Sequence, residues 1–520
     1  MSVRAELTPR RLLVALLLLA LLPAVLAISA AMYSPPQPPP GPPAYNPVPL
    51  PKDGILNALQ ARELQRSRRV TANAPLYAAA LYAGPQLLPA QFPEPIPTIL
   101  LPPRAEPYSL TEVQGLLPDA FETMDNAVLL RASLEIPDGA RLIIDGAASP
   151  ELRLLSSPDG FATIIARGGT LDVRGTRTTP LKVSSWDPVA GAVDENPDDG
   201  RSFILTLGGR MDIAYADIGY LGFGTGTSSG MAWRGAEHVV GQPPDPALGD
   251  VSNSVLHNNW FGAYTYEARG MRWIGNTLAN NTAYGFDPHD LSNDFLVEGN
   301  VAHGNGRHGF IFSRGCDRNV LRDNVAYDNR GHGFMIDDGR TEGSEYGAAR
   351  RLPSNDNTLI RNHSYDNDGS GIEIEGGSGT VIVDNLVERN HVGVRVKNGA
   401  SAFIHDNRLV DNALAGVDVL ANAGRVTVAE NVITGGWASI ALSEQGAAAL
   451  TNNHLQDASA PMAIAGEAVR DEDLITVIGR VFRWNPLLVL WAAILGIPAV
   501  LGLRQLARVR PDARVRRHPR

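Results

Sequence analysis

Cysteine is almost missing from this chain: Cys316 is the only one in 520 residues. No intramolecular disulfide can form, so core burial and the backbone hydrogen-bond ladder must hold the fold together. An excess of basic residues is also missing. The net charge of −10 argues against a nucleic-acid partner and, at first sight, against any polyanionic one. Long uncharged apolar runs are confined to the two ends. Leu12 to Met32 follows Arg10 and Arg11 and suits a cleaved signal peptide or a membrane anchor within residues 1–33. Leu487 to Leu503 follows Trp484 and precedes an arginine-rich tail, which reads as a transmembrane helix over 486–503 with a basic cytoplasmic tail over 504–520. Basic residues on the outer flank of both runs put both termini in the cytoplasm and the body outside it.

Residues 35 to 51, PPQPPPGPPAYNPVPLP, predict a stiff polyproline stalk within 34–52. Residues 53–115 read as a helical and irregular cap, 116–465 as the body and 466–485 as a linker. The repeat units of the body are poor in helix formers and rich in Asn, Gly, Val and Ile. From residue 253 the body repeats, as in GNTLANNTAYGF, GNVAHGNGRHGF and DNVAYDNRGHGF. The asparagines Asn253, Asn276, Asn300, Asn324, Asn362, Asn385, Asn407 and Asn431 recur every 22 to 24 residues, with one step of 38. Period-two alternation inside units of this length predicts an all-β right-handed parallel β-helix, each coil about 4.8 Å above the last. Stacked asparagine amides would bond along its axis.

A second column, Gly262, Gly285, Gly309, Gly333, Gly371, Gly393 and Gly416, sets the register. The first and third residues after each glycine are mostly apolar and face inward; the second and fourth therefore face outward. The outward residues are Tyr264 and Tyr266, Asp287 and His289, Ile311 and Ser313, Met335 and Asp337, Glu373 and Glu375, Arg395 and Lys397. They form one strip along the axis, suited to an elongated polymer. The long step inserts GRTEGSEYGAARRLPS at the edge of that strip, where Arg340, Tyr346, Arg350 and Arg351 can cover an anionic ligand. Pro288 breaks the pattern: it takes an inward position of an interior strand, where it removes a ladder donor. A broken local rule in a consistent repeat marks a functional site, with Asp287 and His289 on either side.

At these residues the sequence resembles the mannuronan C5-epimerases, which convert mannuronate to guluronate within alginate. YGFDPHD at 284–290 matches their Asp-Pro-His-Asp/Glu signature with its preceding tyrosine, DNVAYDNRGHGF matches the coil that follows, and HGFIFSR places an arginine twenty-five residues past the motif histidine. The likeness spans most of residues 120–465. The calcium-binding nonapeptide repeats of the secreted modular members are missing, and the C-terminal membrane span departs from the periplasmic members. The resemblance implies proton removal at C5 of a polymer-bound uronate, and no metal or other cofactor is expected. Arg314 would neutralise the uronate carboxylate, and His289 would be the general base, its tautomer fixed by Asp287 or Asp290. Tyr284, in a column with His308 and His332, would be a candidate opposite-face acid, with water as the alternative donor. Arg307, Arg314, Arg340, Arg395 and Lys397 would concentrate positive potential along the groove, with Tyr264, Tyr266, His308, His332 and Asp337 as further polymer contacts; Glu373 and Glu375 count against a simple basic groove.

The implied partners are an anionic polysaccharide such as polymannuronate, the membrane, and a synthase or export complex. A polysaccharide lyase would share the first step, and a non-catalytic polymer-binding protein would share the groove. Hydrolysis fits less well, because no pair of acids stands out at the motif.

Overall fold

The structure, a computed structural model, describes residues 84–89, 96–224, 228–236, 245–339, 351–420, 422–442 and 446–464. Both expected membrane runs, the stalk, the first part of the expected cap (53–83) and the segment with Arg340, Tyr346 and Arg350 lie outside them. Among the described residues no helix is long and apolar enough to cross a membrane.

The coils form three long parallel sheets, and successive strands within a coil belong to different sheets. Strands begin earlier than the body expected from residue 116. Thr98–Leu100 already pairs in parallel with Ser133–Pro137, Gln86–Leu88 closes that edge antiparallel, and a short α-helix, Leu110–Leu116, is capped by Ser109. Among the described residues, Phe286–His289 is the eighth of fifteen strands in the first sheet.

Alternation along the strands fills the interior with apolar side chains. Phe286, Phe310, Phe312, Phe334, Ile336, Ile372 and Val394 are fully buried, and the Phe310 and Phe334 rings stack at 4.9 Å. Emptying one such position costs about 3–5 kcal/mol. The asparagine ladder is present: Asn276 donates its backbone N–H and its side-chain amide to Asn300 Oδ1, both at 2.9 Å, and the pattern continues through Asn324, Asn362, Asn385, Asn407 and Asn431. Its expected first member is displaced by one. Ser254 donates to Asn276, while Asn253 takes the left-handed corner beside it, at φ 50°. A second ladder through Asn281, Asn305, Asn329, Asn367 and Asn390 lies at the other corner. Both ladders satisfy buried amides that would otherwise be costly.

The glycine column has a steric cause. A Cβ on Gly285 would lie 2.5 Å from Gly309 O and 2.9 Å from the Asn305 amide, so any side chain would force the coils apart.

Candidate active site

The strand Phe286–His289 keeps a full register with the preceding coil, Tyr264 opposite Asp287 and Tyr266 opposite His289. Towards the next coil the pairing survives only at Phe286 and His289. That break falls at Asp287 and Pro288, as the missing proline N–H requires. The strip then turns sharply. Asp290 and Leu291 have φ of 23° and 60°, and Arg314, one coil on, has φ 65°. Left-handed backbone at non-glycine residues is unusual. Here it forms a corner column, five residues past Gly262, Gly285, Gly309, Gly371 and Gly393, that was not read from the sequence.

This corner brings the charges together. Arg314 Nη1 lies 3.2 Å from Asp290 Oδ2, and the other Asp290 oxygen faces His289 Nδ1. Asp290, rather than Asp287, is therefore the carboxylate at the imidazole Nδ1. Burial alone would lower the His289 pKa, but the Asp290 hydrogen bond and the Asp287 charge outweigh it, and the net shift is upward. The expected neutral histidine thus becomes a stronger base that needs a higher pH to be free. Asp287 is buried and its Oδ1 has no hydrogen-bond partner. Burial, reinforced by Asp337 and Asp290 and opposed by His289, raises its pKa to about 7. Ile311 and Met335, on the outward face of the next two coils, are themselves buried and keep water from this side. Asp337 lies two coils on, in the His289 column. It accepts from Ser313 Oγ at 3.3 Å, and burial raises its pKa to about 6.

On the far side of Asp287 stands Tyr284. Its hydroxyl accepts from Arg307 Nη1 at 2.8 Å, and burial raises its pKa, so it holds its proton at neutral pH. Its ring stacks on His308 at 5.4 Å, and His308 on His332 at 4.8 Å, the expected column. His308 Nδ1 accepts the His332 backbone N–H at 2.9 Å, and His332 Nδ1 accepts that of Ser370 at 2.8 Å. Burial lowers both pKa values, so both rings are neutral and carry their proton on Nε2. The 3.3 Å approach of Glu373 to His332 Nδ1 is accordingly not an ion pair. Tyr264 lies beside His289, ring centroids 5.9 Å apart.

The expectation that Arg395 and Lys397 lend positive potential does not hold. Lys397 is held by Glu373 at 2.6 Å and Glu375 at 3.3 Å, and Arg395 by Asp418 at 3.1 Å. The two glutamates that had no role in a basic groove are the partners of Lys397. Burial alone would raise the Glu373 pKa, yet the charges of Lys397 and Arg395 hold it well below the usual range. Among the described residues no group of three or more His, Cys, Asp or Glu side chains is arranged to hold a metal ion. Gly339 was also missed. It has φ 85°, and a Cβ there would meet the Arg314 side chain at 2.5 Å.

The family described as right handed beta helix region matches residues 245–346 and 341–455. A mannuronan C5-epimerase of Pseudomonas aeruginosa is 30% identical over 214 residues, covering 40% of this chain and 38% of that protein. One from Pseudomonas putida is 29% identical over 338 residues, covering 62% of this chain and 55% of that protein. The chain therefore spans between about two fifths and just over half of the length of these relatives. A crystal structure titled as the periplasmic alginate epimerase AlgG superposes with a TM-score of 0.56 at 20% identity, covering 71% of this chain and 85% of that one, and establishes the shared fold. In sequence the chain is thus similar to mannuronan C5-epimerases over part of their length, and in structure it has the right-handed parallel β-helix fold.

Proposed function

We propose that this chain inverts C5 of β-D-mannuronate residues within an alginate-type polymer, giving α-L-guluronate. The observation that carries the reading is the contact chain His289, Asp290, Arg314 beside an unpartnered Asp287, at the middle strand of the long outer sheet. A uronate C5 proton is very weakly acidic while its carboxylate is charged. Arg314, fixed by Asp290, neutralises that carboxylate and the enolate that develops from it. His289 Nε2 removes the proton. Tyr284, protonated and held by Arg307, returns one to the opposite face, and Asp287 holds the sugar through the oxygen that lacks a partner. Each step moves a proton only, so no redox cofactor is required.

Tyr264, Tyr266, His308, His332 and Asp337 supply polymer contacts, and Arg340 lies in the insertion that borders them. The apolar runs Leu12 to Met32 and Leu487 to Leu503 would tether the body on the outer side of a membrane through the proline-rich stalk and the 466–485 linker, next to the machinery that makes or exports the polymer.

The test is incubation of the full-length protein with polymannuronate, following ring configuration by NMR and unsaturated ends by ultraviolet absorbance. New guluronate without unsaturated ends is expected. Unsaturated ends would make the protein a lyase, and binding without either product would leave a polymer-binding role.

A further inference from the structure

The cations of the strip differ in how they are held. Lys397 and Arg395 are tied to carboxylates, Arg314 to Asp290, and Arg307 to the Tyr284 hydroxyl. Arg234 is different. Its guanidinium lies over the Tyr266 ring, 4.6 Å from the centroid, and among the described residues no carboxylate lies within ion-pair reach of it. Its Nε is buried without an acceptor. A donor cut off from water with nothing to bond is uncommon, and it points to an acceptor that arrives with a ligand.

The register fixes where that ligand would be. Arg234 pairs with Tyr266, and Tyr266 with His289, so Arg234 stands in the column of the base, two coils towards the N-terminus, about 10 Å away. In the other direction the strip is acidic. Glu373, Glu375 and Asp418 face Arg395 and Lys397, three charges against two, before Asp337 is added. A second carboxylate is therefore repelled on the C-terminal side and met by an open guanidinium on the N-terminal side.

We infer that Arg234 forms an anionic subsite for the carboxylate of a uronate about two residues from the one being epimerised, and that Tyr266 holds the guanidinium in place by cation–π contact. This deepens the proposed epimerase reading and rests on it. The spacing suits the polymer. Neighbouring residues of an extended diequatorial 1→4-linked chain are turned over, so every second carboxylate returns to the same side, and two sugars are about as long as two coils are high. Arg314 reaches back to Asp290 in the His289 coil, so the two guanidiniums address carboxylates two sugars apart.

The experiment measures binding of short mannuronate oligomers, and of the same oligomers with their carboxyls reduced to alcohols, by calorimetry on the full-length protein carrying His289→Ala to prevent turnover. Adding Arg234→Gln should weaken the charged oligomer about tenfold, the loss expected for a charge-assisted hydrogen bond, and leave the reduced oligomer almost unchanged. Arg234→Lys should recover only part of the loss, because it keeps the charge but not the fork. In the active protein KM should rise about tenfold and kcat stay within about twofold. Equal losses for both oligomers, or none, would overturn the subsite. If Arg234→Gln weakens the charged oligomer while the parent protein exchanges no C5 proton, the subsite stands and the epimerase reading falls.

Discussion

Replacing Asp290 by asparagine isolates the charge at the centre of the site. Asparagine tolerates the left-handed backbone of this corner, and its amide is close to isosteric, so the fold should survive. The carboxylate's hydrogen bond to His289 and its ion pair with Arg314 would both be lost. A hydrogen bond to a charged group contributes about 1.5–3 kcal/mol, and each pKa unit corresponds to about 1.4 kcal/mol, so the histidine pKa should fall by about one to two units. The direction follows from the balance at His289, where burial lowers the pKa and the carboxylates raise it. A base works only when deprotonated, so kcat/KM in the native protein should rise with pH through a midpoint above the ordinary histidine value of 6.5. In Asp290→Asn that midpoint should move down by about one to two units, while the plateau falls at least tenfold because the base is weaker and Arg314 is unbraced. The assay is the pH profile of C5 proton exchange on polymannuronate. An acid limb that stays in place, or moves up, would refute the assignment of His289 as base and Asp290 as its partner.

Other substitutions test separate parts of the account. Tyr284→Phe should lower kcat at least tenfold with little change in melting temperature, and a fully active variant would leave the second proton to water. Gly339→Ala places a methyl against the Arg314 side chain at a backbone angle that disfavours it, and should raise KM and lower kcat with Asp290 unchanged; normal kinetics would mean that Arg314 does not need this space. Asn324→Ala opens the buried ladder at a residue that bonds Val297 O and Asn362 and accepts from Asn300, costing about 2–4 kcal/mol. Calorimetric unfolding should show a melting temperature several degrees lower.

The repeat was legible because a solenoid writes its geometry into the sequence at a fixed period. The glycine column gave the inward and outward faces of the site strand, and with them the outward placement of Asp287 and His289 and the column of Tyr284, His308 and His332. Pro288 marked the interrupted ladder. Less visible were features set by side-chain reach between coils. The pairing of Asp290 with Arg314 depends on a left-handed corner whose residues, Glu267, Asp290, Arg314 and Gly376 among them, share no chemistry. The neutralisation of Lys397 and Arg395 depends on which acids stack beside them, and Arg234 lies before the asparagine repeat becomes regular. The displacement at Asn253 arises because a serine hydroxyl stands in for an amide at Ser254, which pattern matching on asparagine passes over.

The most direct test of the central claim is C5 deuterium incorporation into polymannuronate in deuterated water, comparing the native protein with His289→Ala. The account predicts deuterium at C5 with inverted configuration in the native protein, and a loss of at least a hundredfold in the variant with its fold intact. Exchange that persists in His289→Ala would contradict it, because some other group would then be removing the proton.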